Sequence, residues 1–313
     1  TKLWNSCRFA FINLTDVPTE VRKLEDLAIE DRWILDQLNR AIETVHAALG
    51  RYNPSEAINA ARDFFWGSLC DWYLELIKSR LYDENDASGP IARQVLAYCM
   101  DNVLRLLQPF VPFVTEHLWQ RLGEQVPKRV LLEDSAEGTS PQLVTAPWPQ
   151  ADSRLDDAAL RDGFSEVQRI TRALREIRSA AGVPLRDPLK GAIKTSTEAQ
   201  AHLQSYISVA ERLALVSLTV DPQATALAGS ASKVVGDVEI FIHDVIDEQA
   251  EKERLNAELS KVDKEITACE KKLGNAGFVD RAPAAVVEKQ RDRLAGYQAN
   301  REALLRNIEK LSR

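Results

Sequence analysis

The sequence predicts a mainly α protein: an antiparallel helical bundle, a small α/β connecting unit, and a C-terminal antiparallel coiled-coil hairpin. Three observations carry this. Apolar residues recur at steps of three and four through most of the first half. The runs "LKGAIKTS", "ALVSLTV" and "KVVGDVEIFI" are short and rich in β-branched residues. Near the end, a charged, heptad-spaced run is broken by Gly274, Asn275, Gly277 and Pro283, and then resumes.

The opening "KLWNSCRFAFINL" reads as a first helix. In "KLEDLAIEDRWILDQLNRAIETVHAAL", Leu27, Trp33/Ile34, Leu38, Ile42, Val45 and Leu49 form one apolar face. Gly50 closes that helix, and Asn53, Pro54 and Glu56 supply a cap, a first-turn proline and an early acid for the next. That next helix runs through "SEAINAARDFFWGSLCDWYLELIKSRL". After Gly89 and Pro90, "IARQVLAYCMDNVLRLL" repeats the pattern until Pro109 and Pro112, and "FVTEHLWQRL" follows. About five helices on short, capped connections imply antiparallel packing.

Residues 124 to 153 carry Pro127, Pro141, Pro147 and Pro149 and read as a connection. Another helix bears Leu160, Phe164, Val167, Ile170/Thr171, Leu174 and Ile177 and ends at Gly182. The three short β runs, with "EAQAHLQSYISVAERL" as a helix among them, complete the α/β unit. In the terminal run, Leu255, Leu259, Val262, Ile266, Cys269 and Leu273 alternate steps of four and three. Val287, Leu294, Tyr297, Leu304, Ile308 and Leu311 continue the seam after the break. The expected parts are 1–150, the bundle; 151–245, the α/β unit; and 246–313, the arm.

Composition limits the function. With 313 residues, 45% hydrophobic and 28% charged, the chain is ordinary for a soluble, multi-unit protein. No apolar run is long enough for a membrane span, and no secretory signal opens the chain, so a cytoplasmic location is expected. Cys7, Cys70, Cys99 and Cys269 lack paired spacing and read as reduced, mostly buried thiols. The net charge of −7 is uneven: Ile246 to Arg313 carries fourteen basic and thirteen acidic residues, so the acidity lies earlier and leaves room for basic patches. His46, His117, His202 and His243 are dispersed, so no metal site is expected. The pairs Asp83/Glu84 and Asp156/Asp157 sit near helix ends, where capping explains them. No catalytic residue and no cofactor site is expected in this chain.

Four stretches, "KLWNSCRFAFINL", "FFWGSLCDWYLELIKSRLY", "PFVPFVTEHLWQRL" with the later "PWP", and "KLGNAGFVDRAPAAVVEKQRDRL", together resemble the C-terminal part of bacterial-type valyl-tRNA synthetases, in that family's order. Of these, "CDWYLEL" and "GNAGFVDRAP" point to the valine enzyme specifically. The resemblance implies a bundle of the class I synthetase anticodon-binding type and an arm reaching the outer corner of the tRNA, where the D and T loops meet. It implies valine tRNA and the catalytic domain of the same polypeptide as partners, no membrane, and a monomer. ATP and magnesium belong to that catalytic domain, since neither His-Ile-Gly-His nor Lys-Met-Ser-Lys-Ser occurs here. A start at "TKLWN" without Met favours a fragment over a free-standing paralogue.

Single-stranded RNA loops are read by stacking on aromatic rings and by hydrogen bonds to base edges. On the first helix, Lys2, Asn5, Arg8 and Phe9 fall at neighbouring positions: Phe9 to stack, Arg8 and Asn5 to read edges, Lys2 to hold a phosphate. The same spacing also fits Trp4, Phe9 and Phe11 as core with solvated polar neighbours, and the two readings stand side by side. "CDWYLEL" is expected to be mainly structural. Arg169, Arg172, Arg175 and Arg178 occur at three-residue steps, which drift around the helix so that only some can share a surface; they are expected to be solvated and paired with Glu166 and Glu176, with contact to the tRNA backbone as the alternative. At the arm, Lys271, Lys272, Phe278, Arg281, Lys289 and Arg293, with Arg291 nearby, combine positive charge with an aromatic in a turn. The rival function is a scaffold or dimerisation module, which would need an apolar strip on the outside of the hairpin.

Overall fold

The computed structural model describes residues 2–133, 140–227, 229–245, 248–274 and 284–310. The chain is mainly helical with one four-stranded sheet, and it divides into two compact units. The first comprises 1–172 and 198–215, the second 173–197 and 216–313.

In the first unit, α1 (Lys2–Asn13), α2 (Ile29–Gly50) and α3 (Pro54–Asp63) open the bundle. Helix α2 starts later than the periodicity predicts, because Leu24–Asp26 forms a separate 3₁₀ turn and Leu27 is extended. Leu27 reaches the core from that extended backbone rather than from a helix face. The predicted cap at Asn53 is present: its side chain accepts from the Glu56 amide at 3.2 Å, and Pro54 fills the first turn.

The helix after α3 does not keep α geometry. Phe64–Tyr73 is a π-helical stretch, and α4 (Leu74–Tyr82) completes the run. Phe65, Leu69 and Tyr73, four residues apart, are all buried on its inner side. The apolar doublets Phe64/Phe65 and Trp72/Tyr73 serve either helix width, which hides the π turn from a periodicity argument.

Helix α5 (Gly89–Leu107) is the centre of the bundle and is buried on nearly every side. Most of its interior polar groups are satisfied, the buried Arg105 Nε being an exception. Gln94 donates to the Glu20 and Val130 carbonyls at 2.7 and 2.8 Å, tying two loops to the core. Asp101 accepts from Arg105 and Arg129, each at 2.8 Å. The Arg129 guanidinium also lies 4.3 Å from the Trp119 ring centroid. Trp119 belongs to α6 (Pro112–Gln125), which ends the bundle proper.

A second buried network joins remote segments. Arg80 donates both arms of its guanidinium to Asp31, at 2.8 Å each, and reaches Glu30 at 3.5 Å. The Tyr73 hydroxyl donates to the same Asp31 at 2.7 Å. Burial and the Asp31 charge hold the Tyr73 phenol well above its ordinary range, so it remains a donor. Glu30 also accepts from Arg212 at 3.1 Å, which brings in α8 (Thr197–Ala214). Tyr206 of α8 meets Phe164 edge to face, and Phe164 stacks on Trp33 at 4.6 Å. Gly163 permits this approach, since a Cβ there would lie 2.6 Å from the Tyr206 ring.

Helix α7 (Ala158–Ala180) carries the predicted apolar face, and its N-terminus is capped by Asp157, which accepts from the Leu160 amide. Its end is a Schellman motif: Val183 donates to the Arg178 carbonyl, Gly182 donates to Ser179, and Gly182 has φ +67°. Three of the four predicted arginines, Arg169, Arg172 and Arg175, are exposed. Arg178 departs from the solvation expected of it. It is buried, and its guanidinium donates to the Pro184 and Asp187 carbonyls at 2.8 and 2.7 Å, pinning the loop that follows. Glu176 pairs with Lys233 rather than with an arginine of its own helix.

The second unit holds the sheet, with strands β1 (Leu189–Lys194), β2 (Val216–Val220), β3 (Ala231–Val235) and β4 (Val238–Ile242) in the order β2-β1-β4-β3. β1 and β2 pair in parallel, as expected across an intervening helix, and the other pairs are antiparallel. Gly236 at φ +59° and Asp237 form the two-residue turn between β3 and β4.

Two long helices complete this unit, α9 (Glu248–Leu273) and α10 (Ala284–Lys310). Each is about 40 Å long at the α-helical rise. Val262, Ile266 and Leu304 are buried between them, with Leu259, Leu294 and Tyr297 packed alongside. Arg301 donates to Asp263 at 2.8 Å, and the Gln290 amide meets the Cys269 sulfur at 3.0 Å. Among the described residues, no helix is long and apolar enough to cross a membrane.

Candidate nucleic-acid interface

Helix α1 buries Cys7, Ala10 and Phe11, with Leu14 buried just beyond its end, which turns the rest of its circumference outward. Asn5 and Arg8 are exposed and Phe9 is half-buried, so the predicted residues share a contiguous surface one turn apart. The Lys2 side chain lies outside the described residues. Of the three aromatics, only Phe11 is core; Trp4 remains 41% exposed, stacked on His117 of α6 at 5.4 Å.

Arg8 and Phe9 face different neighbours. The Phe9 ring lies 5.9 Å beneath the Lys78 ammonium of α4, which is itself bonded to Glu75. A comparable pair lies on the same unit, with the Arg172 guanidinium 5.6 Å from the Trp72 ring. Trp72 is half-buried and Tyr73 fully buried, so "CDWYLEL" is mainly structural with one ring reaching the surface. Lys78 is the residue that sequence reasoning missed. Nothing in its helix marks it, because the aromatic it covers is 69 positions away. Arg172 had a signal, the three-residue arginine steps, but its contact with Trp72 depends on tertiary packing.

On the arm, Lys271 and Lys272 occupy the last turn of α9 and are exposed. Lys289 and Arg293 are exposed on α10, and the Gln290–Cys269 contact sets them at the same end of the arm. Phe278 and Arg281 lie outside the described residues. Arg291 is held by Glu288 at 3.4 Å. Among the described arm residues, Leu305 is the one exposed large apolar side chain, so the strip required by a scaffold is missing there.

The described residues contain no group of three or more His, Cys, Asp or Glu able to hold a metal. His117 is engaged with Trp4, and Cys7, Cys99 and Cys269 are buried thiols. Burial, with Cys70 nearby, pushes the Cys7 thiol up to about 12, far from a reactive thiolate.

The family model described as "Anticodon-binding domain of tRNA ligase" matches residues 31–193, and "Valyl tRNA synthetase tRNA binding arm" matches 247–312. The chain is 38% identical to a valine–tRNA ligase of Rhodopirellula baltica, over 99% of this chain and 30% of that protein. Similar relatives are the valine–tRNA ligases of Carboxydothermus hydrogenoformans, 36% identical over 99% of this chain, and Geobacillus stearothermophilus, 35% over 100%. Each alignment covers 34% of the relative, so the chain spans about a third of the length of the curated relatives it matches. With an anticodon-binding match over half its length and the valyl arm behind it, the chain belongs to the anticodon-binding family of tRNA ligases, in its valyl form.

Proposed function

We propose that this chain is the tRNA-binding region of a valine–tRNA ligase, reading the anticodon of valine tRNA with the bundle and gripping the tRNA outer corner with the arm. One observation carries the reading: an anticodon-binding match and a tRNA-binding arm occur in one chain, in that order, joined by the small sheet. ATP, magnesium and the chemistry of aminoacylation belong to the other two thirds of the ligase, which is the partner expected in cis. A monomer in the cytoplasm fits this role. The first unit is read as an antiparallel bundle, supported by its short, capped helix connections. The pair α9 and α10 is read as an antiparallel coiled-coil hairpin. Its cross-pairs support this, since 263 meets 301 while 269 meets 290.

Within this division, Asn5, Arg8 and Phe9, with Lys2, contact the anticodon. Lys271, Lys272, Lys289 and Arg293, with Phe278 and Arg281, contact the outer corner. Base contacts specify and phosphate contacts position, so the two sites differ in kind. Arg8→Ala or Phe9→Ala is expected to weaken valine tRNA binding about tenfold, while leaving the weaker binding of an anticodon-altered tRNA unchanged. Filter binding at fixed salt measures this. Equal losses on both tRNAs would remove Arg8 and Phe9 from the anticodon site.

A further inference from the structure

Resting on the reading above, in which the other two thirds of the ligase precede this chain, we infer that an exposed apolar patch at the start of α6 is the seat of the segment that leads into α1. The patch consists of Val111, Phe113 and Val144. Phe113 is 92% exposed and Val144 65%, with Val111 exposed beside them. The Leu143 amide donates to the Glu116 carboxylate at 2.9 Å, which brings the Leu143–Thr145 turn against the first turns of α6 and sets Val144 near Phe113. A single exposed apolar side chain needs no explanation, whereas a cluster of them at one helix end marks a surface that something covers.

Helix direction identifies the occupant. Trp4 of α1 stacks on His117 of α6, and past that stack the two helices line one cleft, with Arg8 and Ile12 on one side and Arg121 and Gln125 on the other. Residue numbers rise together along both walls, so α1 and α6 run side by side in the same direction. Phe113 lies one turn before His117 on the same face of α6. In that register its counterpart on α1 falls one turn ahead of Trp4, where the preceding part of the ligase arrives. The segment seated on the patch therefore continues α1 and presents a large apolar side chain on the face that Trp4 occupies. Charge favours this occupant over RNA. Residues 111–117 and 140–145 include Glu116 and neither lysine nor arginine, so the patch offers a phosphate backbone no countercharge. To an apolar side chain of the same polypeptide it offers Phe113 and Val144, whose contact with water would be removed on docking.

The test places Phe113→Cys in this chain and in the full-length ligase, and follows reaction of the new thiol with a maleimide by peptide mapping. Phe113 has no core role, so the urea midpoint of this chain is expected to be unchanged by the substitution. In this chain the thiol is expected to react as a free surface thiol, and in the full-length ligase about tenfold more slowly or less. Tyr82→Cys, at the exposed end of α4, is the control and is expected to react equally in both. Equal rates at position 113 in a full-length ligase that charges tRNA with valine would overturn the inference and leave the functional reading standing. A full-length protein without that activity would overturn the reading and the inference with it. Slowing at positions 113 and 82 alike would also overturn the inference, because the shielding would not be local to the patch. Slowing within this chain as its concentration rises would assign the patch to a second copy instead, and slowing only on addition of tRNA would assign it to RNA.

Discussion

Replacing Arg80 with alanine is expected to destabilise the first unit by about 3–5 kcal/mol, the cost of breaking a buried ion pair from one side. Arg80 and Asp31 are 4% and 0% exposed, and the guanidinium supplies two of the hydrogen bonds that make an ionised Asp31 tolerable there. Without it, Asp31 keeps only the Tyr73 hydroxyl, and Glu30 keeps Arg212. The effect should be local to the first unit. All six tryptophans lie within residues 1–172, so tryptophan fluorescence in urea follows that unit alone. The fluorescence midpoint is expected to fall steeply, whereas the companion Arg80→Met/Asp31→Leu, which removes both charges, should recover much of the loss. A midpoint unchanged by Arg80→Ala would mean that this network is not what fixes α2 to the segment running into α4.

The second large effect is on binding. Substituting Lys271, Lys272, Lys289 and Arg293 together by glutamine is expected to weaken tRNA binding by one to three orders of magnitude near 0.1 M salt, on the order of what losing several phosphate contacts costs. The loss should be the same for any anticodon. The plot of log affinity against log salt should flatten by about 0.7–0.9 units for each group that truly meets a phosphate, or roughly three units for all four. Since these side chains are exposed and the arm core is Val262, Ile266 and Leu304, helix content should be unaffected. An unchanged slope would place the contacts elsewhere on the arm.

How much of this was legible beforehand follows from what each signal depends on. Helix faces, the Asn53 cap and the Gly182 stop are local, and each is where the periodicity and turn chemistry put it, whereas "KVVGDVEIFI", read as one β run, is two strands joined by the Gly236-Asp237 turn. The π stretch at Phe64–Tyr73 was not legible, because paired aromatics satisfy two helix geometries at once. Arg178 misled for a different reason. The three-residue steps show that the arginines drift around the helix, but not that the last guanidinium meets the carbonyls of the loop that follows. At the candidate site, the composition of α1 pointed to Asn5, Arg8 and Phe9. Their separation between Lys78 on one side and the α6 cleft on the other arises from packing between segments some 70 to 115 residues apart, which no local pattern encodes.

The central claim is that this chain carries both the reader and the grip for one tRNA. Its most direct test is a titration at fixed salt against valine tRNA, the same tRNA with its anticodon changed, and an unrelated tRNA. The account predicts tight binding to the first, a loss of at least tenfold on changing the anticodon, and a similar residual affinity for the other two from the arm alone. Equal binding to all three would contradict it, leaving general phosphate contacts and no reader in the bundle.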